Sequence, residues 1–277
     1  MFPTLFTVGP ARIDSFPVFL ILSWLVWSFI YWRRLRDLAL DEEGIYEGMF
    51  WATIGGLVAG RIGYVACHWE LFATHLLKSV AFWVEPGLAF YPAAAAASFI
   101  LFIIVKKKQF PMQTVADATV HGFAFAYIIG SLGAFLGNIE AGVLTNGPLG
   151  VHFPGMVGLR FPVGAMEAIA TVLILFLLFF FSKRFDGYFK IPGMFTLWFI
   201  LLFTSAEFFL EFTKDTHVYL GNLRLNQWVL IFLFGQAVGA FLIWGGGKNA
   251  IGTLAYSLVR EGGRLYAKIS KRHTATN

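Results

Sequence analysis

Seven stretches of about twenty mostly apolar residues constrain this chain more than any other feature; they lie at roughly 16–32, 46–67, 88–105, 115–137, 162–181, 193–212 and 226–244. A helix of that length crosses the hydrocarbon of a bilayer with every backbone hydrogen bond satisfied internally, which irregular chain facing lipid cannot do. Of 277 residues, 58% are hydrophobic and 13% charged, and 32 are phenylalanine, so a water-soluble fold would be left with far too much apolar surface to hide. The reading is an all-α integral membrane protein with about seven transmembrane helices. The segment 68–87 mixes Trp69, Phe72, Phe82 and Trp83 with polar residues and reads as an interfacial stretch between helices 2 and 3. Residues 1–244 then form the transmembrane domain and 245–277 a basic cytoplasmic tail.

The net charge of +5 would ordinarily suggest nucleic acid, but the cations sit between apolar runs and read as topology signals; no nucleic-acid partner is expected. The first, third and fifth loops carry Arg33, Arg34 and Arg36; Lys106, Lys107 and Lys108; and Lys183, Arg184 and Lys190, and the tail adds more. The opposite side holds only Arg12, Lys78, Arg160, Lys214 and Arg224. Seven spans with the N-terminus outside and the C-terminus in the cytoplasm satisfy this asymmetry. The arginines that close the first run mark a retained helix rather than a cleaved signal peptide. One cysteine, Cys67, excludes an internal disulfide and reads as a small buried hydrophobe. Gly56-xxx-Gly60, Gly133-xxx-Gly137 and Gly235-xxx-Gly239 have the spacing that lets helices approach closely in lipid.

Ionisable residues inside the spans are few, and each costs about 2.5–3.5 kcal/mol on insertion scales, so each needs a partner or a purpose. They are Arg61, His121, Glu167, Glu207 and Glu211, with Asn138 and Glu140 just beyond the fourth span. Glu207 and Glu211 are four residues apart on one helix face and repel unless a proton or a cation intervenes. Arg61, the only cation deep in a span, is expected to pair with an acidic helix. Such groups either lock the bundle as structural ion pairs or line a wet cavity for a polar headgroup. His121, alone on a Gly/Phe-rich helix, reads more often as a hydrogen-bonded core residue. The run Gly130–Gly142 ends a span and enters a Gly/Pro-rich loop, which makes Asn138, Glu140 and that loop a candidate headgroup pocket. The same glycines would also serve a flexible turn.

Several landmarks in order resemble the bacterial prolipoprotein diacylglyceryl transferases. Val8-Gly9-Pro10 is similar to the family's opening Ile-Gly-Pro, and Gly60-Arg61-Ile62-Gly63-Tyr64-Val65 to the Gly-Arg-x-Gly-Tyr run of its second helix. Gly130 to Gly142 has the frame of its Gly-Arg-x-Gly-Asn-Phe-x-Asn-x-Glu-x-x-Gly signature. Arg160-Phe161-Pro162 through Glu167 resembles its Arg-His-Pro-Ser-Gln-x-Tyr-Glu segment, and Glu211-Phe212 its sixth-helix Glu-Phe pair. The chain departs from the pattern at Phe16 (a Tyr in the family), Tyr91 (a His), Ser131 (an Arg) and Ala134 (an Asn). Ile139 falls on the signature Glu, with Glu140 one residue late, and Glu207 stands at the position of a sixth-helix Arg.

The resemblance implies transfer of a diacylglyceryl group from phosphatidylglycerol to the cysteine thiol of a lipoprotein precursor, with release of glycerol phosphate. It implies a bacterial cytoplasmic (inner) membrane location, contact with phospholipid and with the precursor's signal peptide, and neither cofactor nor metal. The residues expected to carry the chemistry are His121, Glu140 and Glu211 as catalytic groups. Arg61, Asn138, Gly142 and Glu167 are expected to bind substrate, with Arg61 as the phosphate clamp. The departures leave room for a relative that binds lipid or protein without catalysis. The intramembrane carboxylates leave room for a proton or cation pathway.

Overall fold

The structure, a computed structural model, describes residues 2–8, 11–73, 75–81, 84–139, 141–184, 189, 191–215 and 218–243. The basic tail and Glu140 lie outside the described residues. Among the described residues, seven helices are long and apolar enough to cross a membrane: α1 (Ser15–Arg36), α2 (Glu42–Cys67), α4 (Phe90–Lys107), α5 (Met112–Leu136), α6 (Val163–Arg184), α7 (Met194–Glu211) and α8 (Leu225–Ile243). This is a multi-pass all-α membrane protein. Its lipid-facing surface includes Ile21, Phe29, Val172, Phe176, Phe209 and Phe232, all well exposed.

Helix ends follow local chemistry. Asp41 caps α2 by accepting the Gly44 N–H at 2.9 Å, and Arg33, Arg34 and Arg36 occupy the last turn of α1, where the helix dipole favours cations. The start of α7 is capped from another helix. Asp117 of α5 accepts the N–H groups of Gly193 and Thr196 at 2.7 and 3.0 Å and the Thr196 hydroxyl at 2.6 Å. At the end of α5, Asn138 takes φ +58°, the Asn138 N–H reaches Phe135 O and the Ile139 N–H reaches Ala134 O, the hydrogen-bond pattern of a left-handed helix stop.

In the bundle α1 packs on α5, α2 on α4, α5 on α6 and α7 on α8. Two of the three glycine pairs act as expected. Gly56 and Gly60 lie against Ala93 and Ala97 of α4, so that a Cβ on Gly60 would sit 3.1 Å from Ala93 Cβ; Gly133 and Gly137 lie against Phe19 and Phe16 of α1. Gly235 and Gly239 differ: among the described residues a Cβ on either would meet no neighbouring element within 4 Å, so no described helix packs on that pair. Cys67 is likewise exposed, not buried, because it ends α2 where the chain turns into the interfacial segment.

That segment contains α3 (Trp69–Phe72) and a 3-10 turn at Leu76–Ser79. The bundle's other end elements are short hairpins: β1 (Thr4–Val8) with β2 (Ala11–Asp14), β3 (Val151–His152) with β4 (Leu159–Arg160), and β5 (Tyr219–Leu220) with β6 (Leu223–Arg224). By helix alternation the hairpins share one end of the bundle with the interfacial segment. The basic last turns of α1, α4 and α6, with Arg33, Arg34, Arg36, Lys106, Lys107, Lys183 and Arg184, lie at the other.

Candidate functional site

The acidic helices meet at the hairpin end, but their cation is not the expected one. Glu207 and Glu211 occupy one face of α7, and Glu167 projects from the second turn of α6. The chain leaving α7 turns back at once, and the Lys214 N–H donates to Glu211 O at 3.2 Å. The ammonium of Lys214 thereby comes among all three carboxylates: its Nζ stands 2.7 Å from Glu167 Oε1, 3.3 Å from Glu211 Oε2 and 3.8 Å from Glu207 Oε2. The three glutamate side chains are 4% exposed or less, so these charges face one another with little water to screen them.

Neutral donors complete the cluster. The Tyr127 hydroxyl of α5 donates to Glu207 Oε1 at 2.9 Å, and Asn226 Nδ2 of α8 donates to Glu211 Oε1 at 2.9 Å. Four membrane helices therefore contribute to one polar centre. One ammonium and three buried carboxylates leave the centre rich in proton acceptors.

Lys214 is held in place by backbone pairing. Val143 N–H donates to Thr213 O at 2.9 Å, Gly142 N–H to Phe161 O at 3.0 Å and Phe161 N–H to Val143 O at 3.1 Å, so three loop segments lie side by side. Gly142 is needed at their crossing, because a Cβ there would lie 2.6 Å from Thr213 O and 2.7 Å from Phe161 O. Arg160 fastens the same seam, donating through Nη1 to Gly142 O at 3.0 Å and to Asp215 Oδ2 at 2.8 Å.

Of the residues singled out in the sequence, Glu167 and Glu211 come together and Gly142 supports them from behind. Asn138 stands in the loop wall, where its Nδ2 donates to Pro154 O at 3.1 Å and its buried Oδ1 has no hydrogen-bond partner among the described residues. Arg61 does not pair with the acidic helices. Its guanidinium donates to the backbone carbonyls of Ser79 (2.7 Å), Lys78 (2.9 Å), Glu85 (2.7 Å) and Gly87 (3.1 Å). Among the described residues no backbone N–H donates to those carbonyls in the irregular segment after α2, and the fork reaches them rather than a distant carboxylate.

His121 is also apart from the cluster. It stacks on Phe195 with ring centroids 3.6 Å apart, and its Nδ1 lies 2.6 Å from Asp117 O, near the opposite end of α7. The climb along α7 from Phe195 to Glu211 is about 24 Å at 1.5 Å per residue, so the imidazole and the carboxylates lie near opposite ends of α7. Lys214, Tyr127 and Asn226 are the site residues that sequence reasoning missed. Lys214 had a signal: Glu207, Glu211 and Lys214, spaced by four and three, continue one helical face. Tyr127 and Asn226 had none, because only helix packing brings them in.

The family model for prolipoprotein diacylglyceryl transferase matches residues 3–244. Relatives named phosphatidylglycerol–prolipoprotein diacylglyceryl transferase include one from Wolbachia sp. subsp. Drosophila simulans, 26% identical over 232 residues, covering 81% of this chain and 86% of that protein. Another, from Ligilactobacillus salivarius, is 23% identical and covers 86% of this chain and 91% of its own length. A third, from Synechococcus elongatus, is 23% identical and covers 87% and 86% respectively. With the match spanning all seven membrane helices and the loops that carry Lys214 to its carboxylates, the chain belongs to the prolipoprotein diacylglyceryl transferase family.

Proposed function

We propose that this protein transfers a diacylglyceryl group from phosphatidylglycerol to the cysteine thiol of a lipoprotein precursor, in the bacterial cytoplasmic membrane. The N-terminus lies outside and the C-terminus in the cytoplasm, so the hairpin end and its polar centre face outward, where the precursor's signal peptide delivers its cysteine. The observation that carries this reading is the buried gathering of Glu167, Glu207, Glu211 and Lys214 at one end of a lipid-facing bundle, in a chain whose family members are named for this reaction.

The chemistry asks for a thiolate, an electrophilic carbon and a stabilised leaving group. A thiol becomes a strong nucleophile on losing its proton, and a carboxylate of the cluster accepts it. The sulfur then attacks the glyceryl carbon bonded to the phosphate oxygen. The C–S bond forms as that C–O bond breaks, and glycerol phosphate departs with the electron pair. Lys214 holds the carboxylates in place against their mutual repulsion, and Tyr127 fixes the orientation of Glu207. Both acyl chains stay in lipid throughout, which is why the reacting centre sits at the end of an apolar bundle. Neither His121 nor Arg61 has a place in this scheme.

The test is reconstitution. Purified protein in phosphatidylglycerol vesicles is given a precursor peptide bearing the cysteine, and the same peptide with serine as control. Lipidated cysteine peptide and an equal amount of glycerol phosphate are expected; lipid binding with no transfer by the folded protein would refute the reading.

A further inference from the structure

Arg224 is a buried charge that the scheme above leaves unused. It ends β6, faces Tyr219 across the hairpin, and immediately precedes the nineteen-residue helix α8. The residue is 8% exposed, and its Nη1 is buried with no hydrogen-bond partner among the described residues. Among the described residues it forms no ion pair; its nearest aromatic neighbour is Tyr219, with the ring centroid 5.8 Å from Cζ. Its backbone is fixed, since the Arg224 N–H donates to Gln227 Oε1 at 3.0 Å. Two residues on, Asn226 donates to Glu211, so the backbone that carries Arg224 leads directly into the polar centre.

A guanidinium withdrawn from water without a counter-charge is costly, and a buried ion is kept where an anion completes it. The planar fork matches two phosphate oxygens, and the first turn of a long helix adds partial positive charge at the same point. The surroundings select a lipid source. Val218, Tyr219, Leu220 and Trp228 around the hairpin are 45–58% exposed, and the Trp228 indole donates to Leu220 O at 2.9 Å, the arrangement of an aromatic anchor at headgroup depth.

We propose that Arg224, with the first turn of α8, binds the phosphate of the anionic phospholipid that serves as donor. The assignment rests on the transferase reading and names its headgroup contact. It also supplies a cation near the centre in a chain whose sixth-helix position carries Glu207.

The experiment compares wild type, Arg224→Met and Arg224→Lys in phosphatidylcholine nanodiscs with and without phosphatidylglycerol. Without the anionic lipid, Arg224→Met is expected to unfold at or above the wild-type temperature, because an uncompensated charge has been removed. Phosphatidylglycerol is expected to stabilise the wild type, Arg224→Lys in part, and Arg224→Met not at all. The KM for phosphatidylglycerol should rise at least about tenfold in Arg224→Met, the loss of one charge-assisted contact. A full phosphatidylglycerol shift in Arg224→Met, or a lowered melting temperature without the lipid, would assign a structural role and overturn the proposal. Equal protection by soluble glycerol phosphate would overturn the lipid source. Arg224-dependent lipid binding without any transfer sinks the transferase reading alone, whereas an active Arg224→Met with unchanged KM sinks only this inference.

Discussion

Replacing Lys214 by Met tests the centre most directly, since it keeps a long side chain and removes only the charge. With distances of 2.7, 3.3 and 3.8 Å to the three carboxylates, an effective dielectric of about 20 gives gross attractions of roughly 6, 5 and 4 kcal/mol. Desolvation of the ammonium and repulsion among the carboxylates offset most of that sum. What remains for breaking a buried ion pair is about 3–5 kcal/mol, left as uncompensated charge on the glutamates. For a chain of this size that is a fall in melting temperature of roughly 10 °C. Thermal unfolding in detergent micelles reads it, with lipid transfer measured alongside and expected to vanish. Adding Glu167→Gln to Lys214→Met should recover part of the loss, because a neutral amide no longer needs the ammonium, and the double-mutant cycle reports the coupling. A Lys214→Met protein that melts within about 2 °C of wild type, with no coupling to Glu167, would show that the cluster is not held by charge and would refute the reasoning.

Tyr127→Phe removes the hydroxyl that donates to Glu207 and is expected to destabilise by about 1–3 kcal/mol and slow transfer without changing lipid binding; melting curves and initial rates check both. Arg61→Ala frees four backbone carbonyls at once, and limited proteolysis should cut between Trp69 and Gly87 while α7 and α8 stay protected. His121→Phe, which keeps a ring against Phe195, should leave the transfer rate within about twofold of wild type, and a loss of tenfold or more would restore the histidine to the mechanism.

Much of the architecture was legible in the chain. Apolar runs of membrane length and the one-sided placement of Lys and Arg act through solvent transfer, a property of each segment by itself, so the seven spans and the interfacial segment were found to within a few residues. Glu167 and Glu211 stood out for the same reason, as charges where lipid would penalise them. Partnership was a different matter. Arg61 and the acidic helices looked like complements because each lacked a partner in sequence, yet the arginine turned to the carbonyls of its own following loop. The glutamates received a lysine that had been counted only as a topology signal.

Gly235 and Gly239 carry the same spacing as Gly56 and Gly60 but meet no neighbouring helix among the described residues, because spacing specifies a face but not what meets it. Sequence by itself determined which segments enter the membrane and which residues are anomalous there. Tertiary structure alone decided that Gly142 would let three loop strands cross, that Lys214 would be carried back over Glu211, and that Arg224 would be buried with no ion pair among the described residues. Side-chain pairing depends on the relative placement of helices far apart along the chain, and no local pattern encodes that placement.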